Sequence, residues 1–267
     1  MKHTYISLGS ACDTAMVMDS AGVRKKGYPF DWLWNLDTGL ESVTEIIRND
    51  FKQITSDNCY AKKRHYRFSD SMIVYKDYPS IAHLHVNPLE DIKEHQKSCR
   101  RAFRFIEEMK RNTVKHFIYY RCLEEDLLQG KSDSINTTFN RLINEGETFV
   151  DMMTEKYPNI RKAFHLLLII QVNENLLEQA KKIIETYTNK QFNQKYNKII
   201  KTGYTITRND EDKRLKSIWR LQWMNMLLKR TKVPFFYKFG IIPRVMLQHC
   251  QLFCINFLSV NSLKKKK

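Results

Sequence analysis

Cys12 ends the segment Tyr5-Ile6-Ser7-Leu8-Gly9-Ser10-Ala11-Cys12, a strand-like apolar run followed by a small-residue turn. A cysteine in the first turn of a helix sits near the positive end of the helix dipole and near amides without intrahelical partners. Both favour the thiolate, which is the nucleophilic form. The same amides can hold an oxyanion. Acyl-transfer chemistry of this kind needs a base, and Ile81-Ala82-His83-Leu84-His85-Val86 offers two. Alternation along a strand would put His83 and His85 on one face. An imidazole there would take the thiol proton and later return it to the leaving group. No carboxylate or thiol stands near that pair with ligand spacing, so neither a metal site nor another cofactor is expected. A third segment, Tyr28-Pro29-Phe30-Asp31-Trp32, packs aromatics around one carboxylate. Its rings suit a plug over the core, and Asp31 suits a polar anchor or a pocket wall.

The elements that must position these residues are readable from periodicity. Thr4–Leu8 is expected as a first strand and Cys12 to Ala21 as a helix, with Ser10 as its N-cap. Lys25–Trp34 reads as a packed loop and Thr38–Phe51 as a helix. Ser71–Tyr75 and Ser80–Val86 read as short strands. Pro88 then opens a helix to about Arg111, with Ile92, Phe103, Phe105, Ile106 and Met109 as core candidates. Val114–Tyr120 is a strand, Ile135–Tyr157 a helix, and Ala163–Val172 a strand apolar enough to be covered on both faces. Asn175–Thr188, Ile199–Ile206 and Glu211–Leu228 follow as helix, edge strand and helix. This order predicts an α/β fold, a mainly parallel sheet flanked by helices, with a nucleophile-type turn after its first strand.

The chain has 267 residues, 42% hydrophobic and 12% aromatic, with only 8 Gly and 6 Pro. That supports a packed core and argues against long flexible linkers. One α/β domain over residues 1–232 is expected, followed by a basic, aromatic-rich tail at 233–267. The six cysteines, at 12, 59, 99, 122, 250 and 254, form no CxxC pair. They suit a reduced compartment, and no apolar signal segment precedes the first strand, so a cytoplasmic location is expected. The net charge of +16 is uneven: residues 1–180 hold 25 Lys+Arg and 25 Asp+Glu, whereas residues 181–267 hold 20 and 4. An anionic membrane or polymer is therefore a candidate partner for the last third. The apolar run near 245–258 is too short and too polar to span a bilayer but could lie on its surface. The basic residues do not interleave with aromatics as in nucleic-acid motifs, so nucleic acid is not an expected partner.

Taken together, Ser7-Leu8-Gly9-Ser10-x-Cys12, Tyr28-Pro29-Phe30-Asp31-Trp32, the apolar run ending in His85, Arg100-Arg101-Ala102-Phe103-Arg104-Phe105 and Phe117-Ile118-Tyr119-Tyr120-Arg121 resemble the DUF1796 family of proposed papain-like cysteine peptidases. The resemblance is strongest over residues 4–125. It implies Cys12 as nucleophile and His85 as base, with His83 as the alternative because Val86 stands where the family has Asp. Asp31 matches a family position and joins the catalytic candidates. Ser10, Trp32 and Arg121, from the same segments, are the expected substrate contacts. The implied activity is a cysteine-dependent hydrolase, whether peptidase, amidase or acyl transferase, on a peptide, amide or glycan-linked substrate. A parallel sheet with its nucleophile after the first strand is similar to SGNH-type esterases, with Cys in place of Ser, more than to papain's half-barrel. The alternative is a non-catalytic accessory protein in polysaccharide or surface-glycan processing, docking to an anionic membrane or polymer through its basic end.

Overall fold

The computed structural model describes residues 2–36, 38–65, 68, 70–122, 126, 134–160, 163–190, 196, 198–230, 243, 246–247 and 249–252. Four strands, β1 (His3–Ser7), β6 (Val114–Cys122), β7 (Phe164–Val172) and β8 (Ile200–Ile206), lie side by side in that order, and all are parallel. A second, antiparallel sheet, ordered β2-β5-β4-β3, is formed by β2 (Leu33–Asn35), β3 (Tyr60–Lys63), β4 (Met72–Tyr75) and β5 (Ile81–His83). The expected mainly parallel sheet is thus present, and the small second sheet is an addition to it. Two of its strands, β2 and β3, fall in segments where three or four residues show too little alternation to announce a strand.

The helices are α1 (Cys12–Ser20), α2 (Leu40–Arg48), α3 (Lys52–Thr55), α4 (Ile92–Lys110), α5 (Ile135–Lys156), α6 (Leu177–Lys190) and α7 (Lys213–Arg230). They cover both faces of the parallel sheet. On one face Ile6, Phe117, Tyr119, Leu166, Leu168 and Ile170 pack against α2, α4, α5 and α6. On the other, Tyr5, Ile118, Tyr120, Leu167 and Ile169 pack against α1 and α7. Burial on both faces is why β7 reads Phe-His-Leu-Leu-Leu-Ile-Ile-Gln-Val with scarcely a polar break.

Local chemistry sets several boundaries. The helix expected from Pro88 begins at Ile92, because the Asp91 side chain accepts the amide of Lys93 at 2.9 Å and caps it. Phe105 and Met109 of α4 are fully buried, but Ile92 and Phe103 are exposed. Two residues along a helix turn the side chain through about 200°, so Phe103 and Phe105 cannot share a face. The helix expected over 38–51 divides into α2 and α3 at Asp50 and Phe51, which adopt φ values of 53° and 61°. Most of the tail from 233 lies outside the described residues. Among the described residues, no helix is long and apolar enough to cross a membrane.

Candidate active site

The turn after β1 is built by three consecutive departures from regular backbone. Leu8 still donates to the Ile118 carbonyl at 2.9 Å, continuing the ladder. Gly9 and Ser10 then take φ values of 85° and 84°, and Ala11 is extended at −160°. Ser7 Oγ accepts the Gly9 amide at 3.1 Å and fixes the bend. A left-handed conformation costs Gly9 little but strains Ser10 by about 1–3 kcal/mol. Ala11 rather than Ser10 is the N-cap of α1, because the left-handed turn carries Ser10 away from the helix's first amides. Ala11 has no side-chain oxygen with which to cap them. Cys12 is therefore the first helical residue, at the positive end of α1.

The Pro-aromatic-Asp-Trp loop packs directly against this turn. A Cβ on Gly9 would meet the Phe30 carbonyl at 3.3 Å, and the Asn35 amide donates to the Ser10 carbonyl at 3.1 Å. Trp32 also has a positive φ, 69°, so strained non-glycine residues occur in both segments. Asp31 is buried as the loop's anchor. Its Oδ2 accepts Arg24 Nε and Nη2 at 2.9 and 2.8 Å and the Tyr28 amide at 2.9 Å. Burial pushes its carboxyl up, and Arg24 opposes that push. Arg24 also binds Asp19 at 3.0 Å, tying the loop to the end of α1, and lies 5.8 Å from the Trp32 ring centre.

Contrary to the thiolate expected at a helix start, Cys12 is partly buried, and desolvation followed by the Asp13 charge raises its thiol pKa, while Arg208 lowers it. Arg208 Nη1 donates to Asp13 Oδ1 at 2.9 Å and the guanidinium also pairs with Asp210. Lys216 reaches Asp210 at 2.9 Å. Hydrogen bonds from Arg208 and Lys216 hold Asp210 down at about 2. The group Cys12, Asp13, Arg208 and Asp210 comes from the carboxyl ends of β1 and β8, the edge where open parallel sheets present their reactive groups. Arg208 and Asp210 were not candidates from the sequence. Their signal was position alone, a cluster of charges directly after the last strand.

Arg121 lies at the carboxyl end of β6 and is buried. Its Nε and Nη2 bind Asp126 Oδ1 at 2.8 and 2.5 Å, and its Nη1 donates to the Thr38 carbonyl at 2.7 Å. Asp126 also binds Arg141 of α5 at 2.5 Å. On the same helix Glu145 accepts the Leu40 amide at 2.8 Å. Burial, then the Glu41 charge, pushes Glu145 up to about 8.

His83 pairs across β5 with Leu33 of β2. Its ring stands edge-on to Tyr75 and Tyr60, at 5.0 and 5.5 Å. Burial and then Arg101 lower it to about 4, so it is neutral at physiological pH. Among the described residues its Nε2 has no hydrogen-bond partner. His85 does not continue the strand as expected: pairing with both β2 and β4 ends at His83, and His85 sits exposed on a bend. The charges that act on Cys12 belong to Asp13, Arg208 and Asp210. The cysteine–histidine contact among the described residues is elsewhere, on α4. There Cys99 Sγ lies 3.6 Å from His95 Nε2, and His95 Nδ1 lies 3.1 Å from the Tyr60 hydroxyl. Its sequence signal was a His-x-x-x-Cys spacing, which places both on one helix face. Among the described residues no group of three or more His, Cys, Asp or Glu could hold a metal ion.

Comparison with curated proteins and with solved structures finds no match. A family model does match, over residues 3–221, and it spans the Cys12 turn, the Asp31 loop, both histidines and Arg208. The chain belongs to the DUF1796 family, whose description reads "putative papain-like cysteine peptidase".

Proposed function

We propose that this protein is a cysteine-dependent hydrolase or acyl transferase with Cys12 as its nucleophile. The observation that carries the reading is the turn, in which two left-handed residues place Cys12 at the uncapped first position of α1 on the carboxyl edge of a parallel sheet. In the proposed reaction the Cys12 sulfur attacks a carbonyl carbon and the carbonyl electron pair moves to oxygen, where amides of the first turn of α1 stabilise it. The carbon–heteroatom bond then breaks and the leaving group takes the proton that the base removed from the thiol. Water or an acceptor nucleophile then attacks the thioester carbonyl as the base takes its proton, the carbon–sulfur bond breaks, and the proton returns to the Cys12 sulfur.

The base of this reading is His85, which family resemblance assigns and whose exposure on the bend leaves it accessible. His83 is the alternative, already neutral and buried beside Tyr60 and Tyr75. The experiment is thiol labelling of Cys12 with iodoacetamide across pH, together with turnover of activated acyl esters, in wild type, Cys12→Ser, His85→Ala and His83→Ala. Cys12→Ser is expected to lower turnover by about 10³-fold or more. His85→Ala should raise the pH at which Cys12 reacts. Full turnover in Cys12→Ser would end the reading.

The hydrogen-bonded Cys99 and His95 favour a second reading, with the nucleophile on α4. Against it, the Cys99 thiol donates to the Thr55 carbonyl, a contact available only to the neutral form. Turnover lost in Cys99→Ser and kept in Cys12→Ser would select it. If neither substitution changes turnover or labelling, the accessory role at an anionic membrane or polymer is the surviving reading.

A further inference from the structure

Between α1 and α7, beside the Arg208–Asp13 pair, runs a groove of about 380 Å³, a volume that suits a small organic ligand. Its apolar surface comes from Met16, Trp219 and Met224, and its rim carries Arg208, Lys216 and Arg220. Leu247 from the C-terminal segment also borders it. Met16 and Ser20, which both line the groove, stand one and two turns beyond Cys12 on the same side of α1. That side covers about 12 Å of helix.

The polar groups are nearly all of one kind. Arginine, lysine and the indole N–H only donate hydrogen bonds. Trp219 is 2% exposed, and among the described residues its Nε1 finds no acceptor. It is an unmet hydrogen-bond donor on a residue that lines the groove. Arg208 and Lys216 are partly neutralised by Asp13 and Asp210. Arg220 has no ion-pair partner among the described residues and is exposed. A ligand complementary to this surface brings hydrogen-bond acceptors and negative charge to the rim, and hydrocarbon to the floor.

We propose that the groove binds a single-chain anionic amphiphile, a hydrocarbon chain bearing a phosphate or carboxylate, laid along α1 toward Cys12. As a statement about substrate it rests on the cysteine reading above; as a statement about binding it does not. The test therefore uses the full-length Cys12→Ser protein, titrated calorimetrically with dodecyl phosphate below its micellar range. Saturable binding at one site is expected. Arg220→Glu, exposed on α7, and Met16→Trp, half-buried on α1, should each weaken it at least tenfold while circular dichroism shows the fold unchanged. Dodecyltrimethylammonium should not saturate. Equal binding of both head groups, or dodecyl phosphate binding untouched by both substitutions, would overturn the proposal, as would no saturable binding at all.

Phosphatidylglycerol vesicles identify the source of the chain. Vesicle binding reduced by the same two substitutions supports a membrane lipid. Vesicle binding unchanged while dodecyl phosphate binding falls supports a free amphiphile. Should the thiol prove inert, these binding results stand unaltered; should binding fail, Cys12 reactivity is untouched.

Discussion

The carboxyl edge of the parallel sheet and the antiparallel sheet beside it treat titratable groups in opposite ways. At the edge, Cys12 is only partly buried and is surrounded by charge, with Asp13, Arg208, Asp210 and Lys216 linked in a chain of ion pairs. In the antiparallel sheet, His83 is 6% exposed and faces tyrosine rings, and Arg101 is the charge that acts on it. In the first, burial and the Asp13 charge push the Cys12 thiol up while Arg208 opposes them, so charges of both signs bear on it. The second keeps an imidazole neutral by withholding solvent. Family resemblance, with exposure on the bend after β5, is what makes His85 rather than the buried His83 the base of the proposed mechanism.

The largest stability effect that would break this contrast is expected at Asp31, the carboxylate that holds the loop against the Cys12 turn. Asp31→Ala removes the acceptor of Arg24 and of the Tyr28 amide together. Breaking one partner of a buried ion pair should cost about 3–5 kcal/mol in urea unfolding, with Cys12 labelling changed as the turn loosens. A loss under 1 kcal/mol would show that the two regions are held together by something other than this anchor.

Next in size is the pH response of the antiparallel sheet. His83 has a folded-state pKa of about 4 against an ordinary 6.5, so the folded state binds its proton less tightly than the unfolded chain. Its contribution is therefore full above pH 6.5 and is lost as pH falls toward 4. The loss should be on the order of 3 kcal/mol. His83→Phe keeps the aromatic packing and should show a shallower decline over that window. Identical profiles for the two proteins would mean that His83 is not desolvated as described.

The carboxyl edge should respond with the opposite sign and on a comparable scale. Glu145 sits at about 8 against an ordinary 4.5, so the folded state prefers its protonated form. Stability from this group is full below pH 4.5 and lost as pH rises toward 8. Glu145→Gln can still accept the Leu40 amide, and should be more stable than wild type at pH 8 by on the order of 4 kcal/mol. The two should converge near pH 4, where wild-type Glu145 carries its proton as well. No gain at pH 8 would remove the contrast in sign between the two regions.

The smallest effect concerns the turn itself. Ser10→Gly relieves a left-handed serine at φ 84° and should raise stability by up to about 1 kcal/mol. If the Ser10 hydroxyl also touches substrate, turnover will fall while the melting temperature rises. A fall in stability would instead show that the hydroxyl is held by a bond that outweighs the strain.

Much of the frame was legible because it is local. Hydrophobic alternation and helical spacing depend on neighbours within one turn or one strand, so β1, β6, β7, β8 and the helices appear close to their expected places. Cys12 at a strand-to-helix turn was readable for the same reason. The limits of local reading show at β5, where the run Ser80–Val86 predicts a strand through His85 but the strand stops at His83. The bend after His83, where pairing with both β2 and β4 ends, is a feature of the assembled sheet. Phe103 and Phe105 make the same point, since both look like core residues and only one faces inward.

The sequence by itself determined the order of elements, the α/β class and the cysteine at the first turn, because these follow from the intrinsic periodicity of the backbone. Tertiary structure alone decided what surrounds that cysteine. Arg208 meets Asp13 across 195 positions of chain, because β1 and β8 end at the same edge of one sheet and α7 packs beside α1. No local pattern encodes such a meeting, for it depends on strand order and on which face each helix covers. His83 acquired its neutral, aromatic surroundings in the same way, from Tyr60 and Tyr75 on two neighbouring strands and Arg101 on α4.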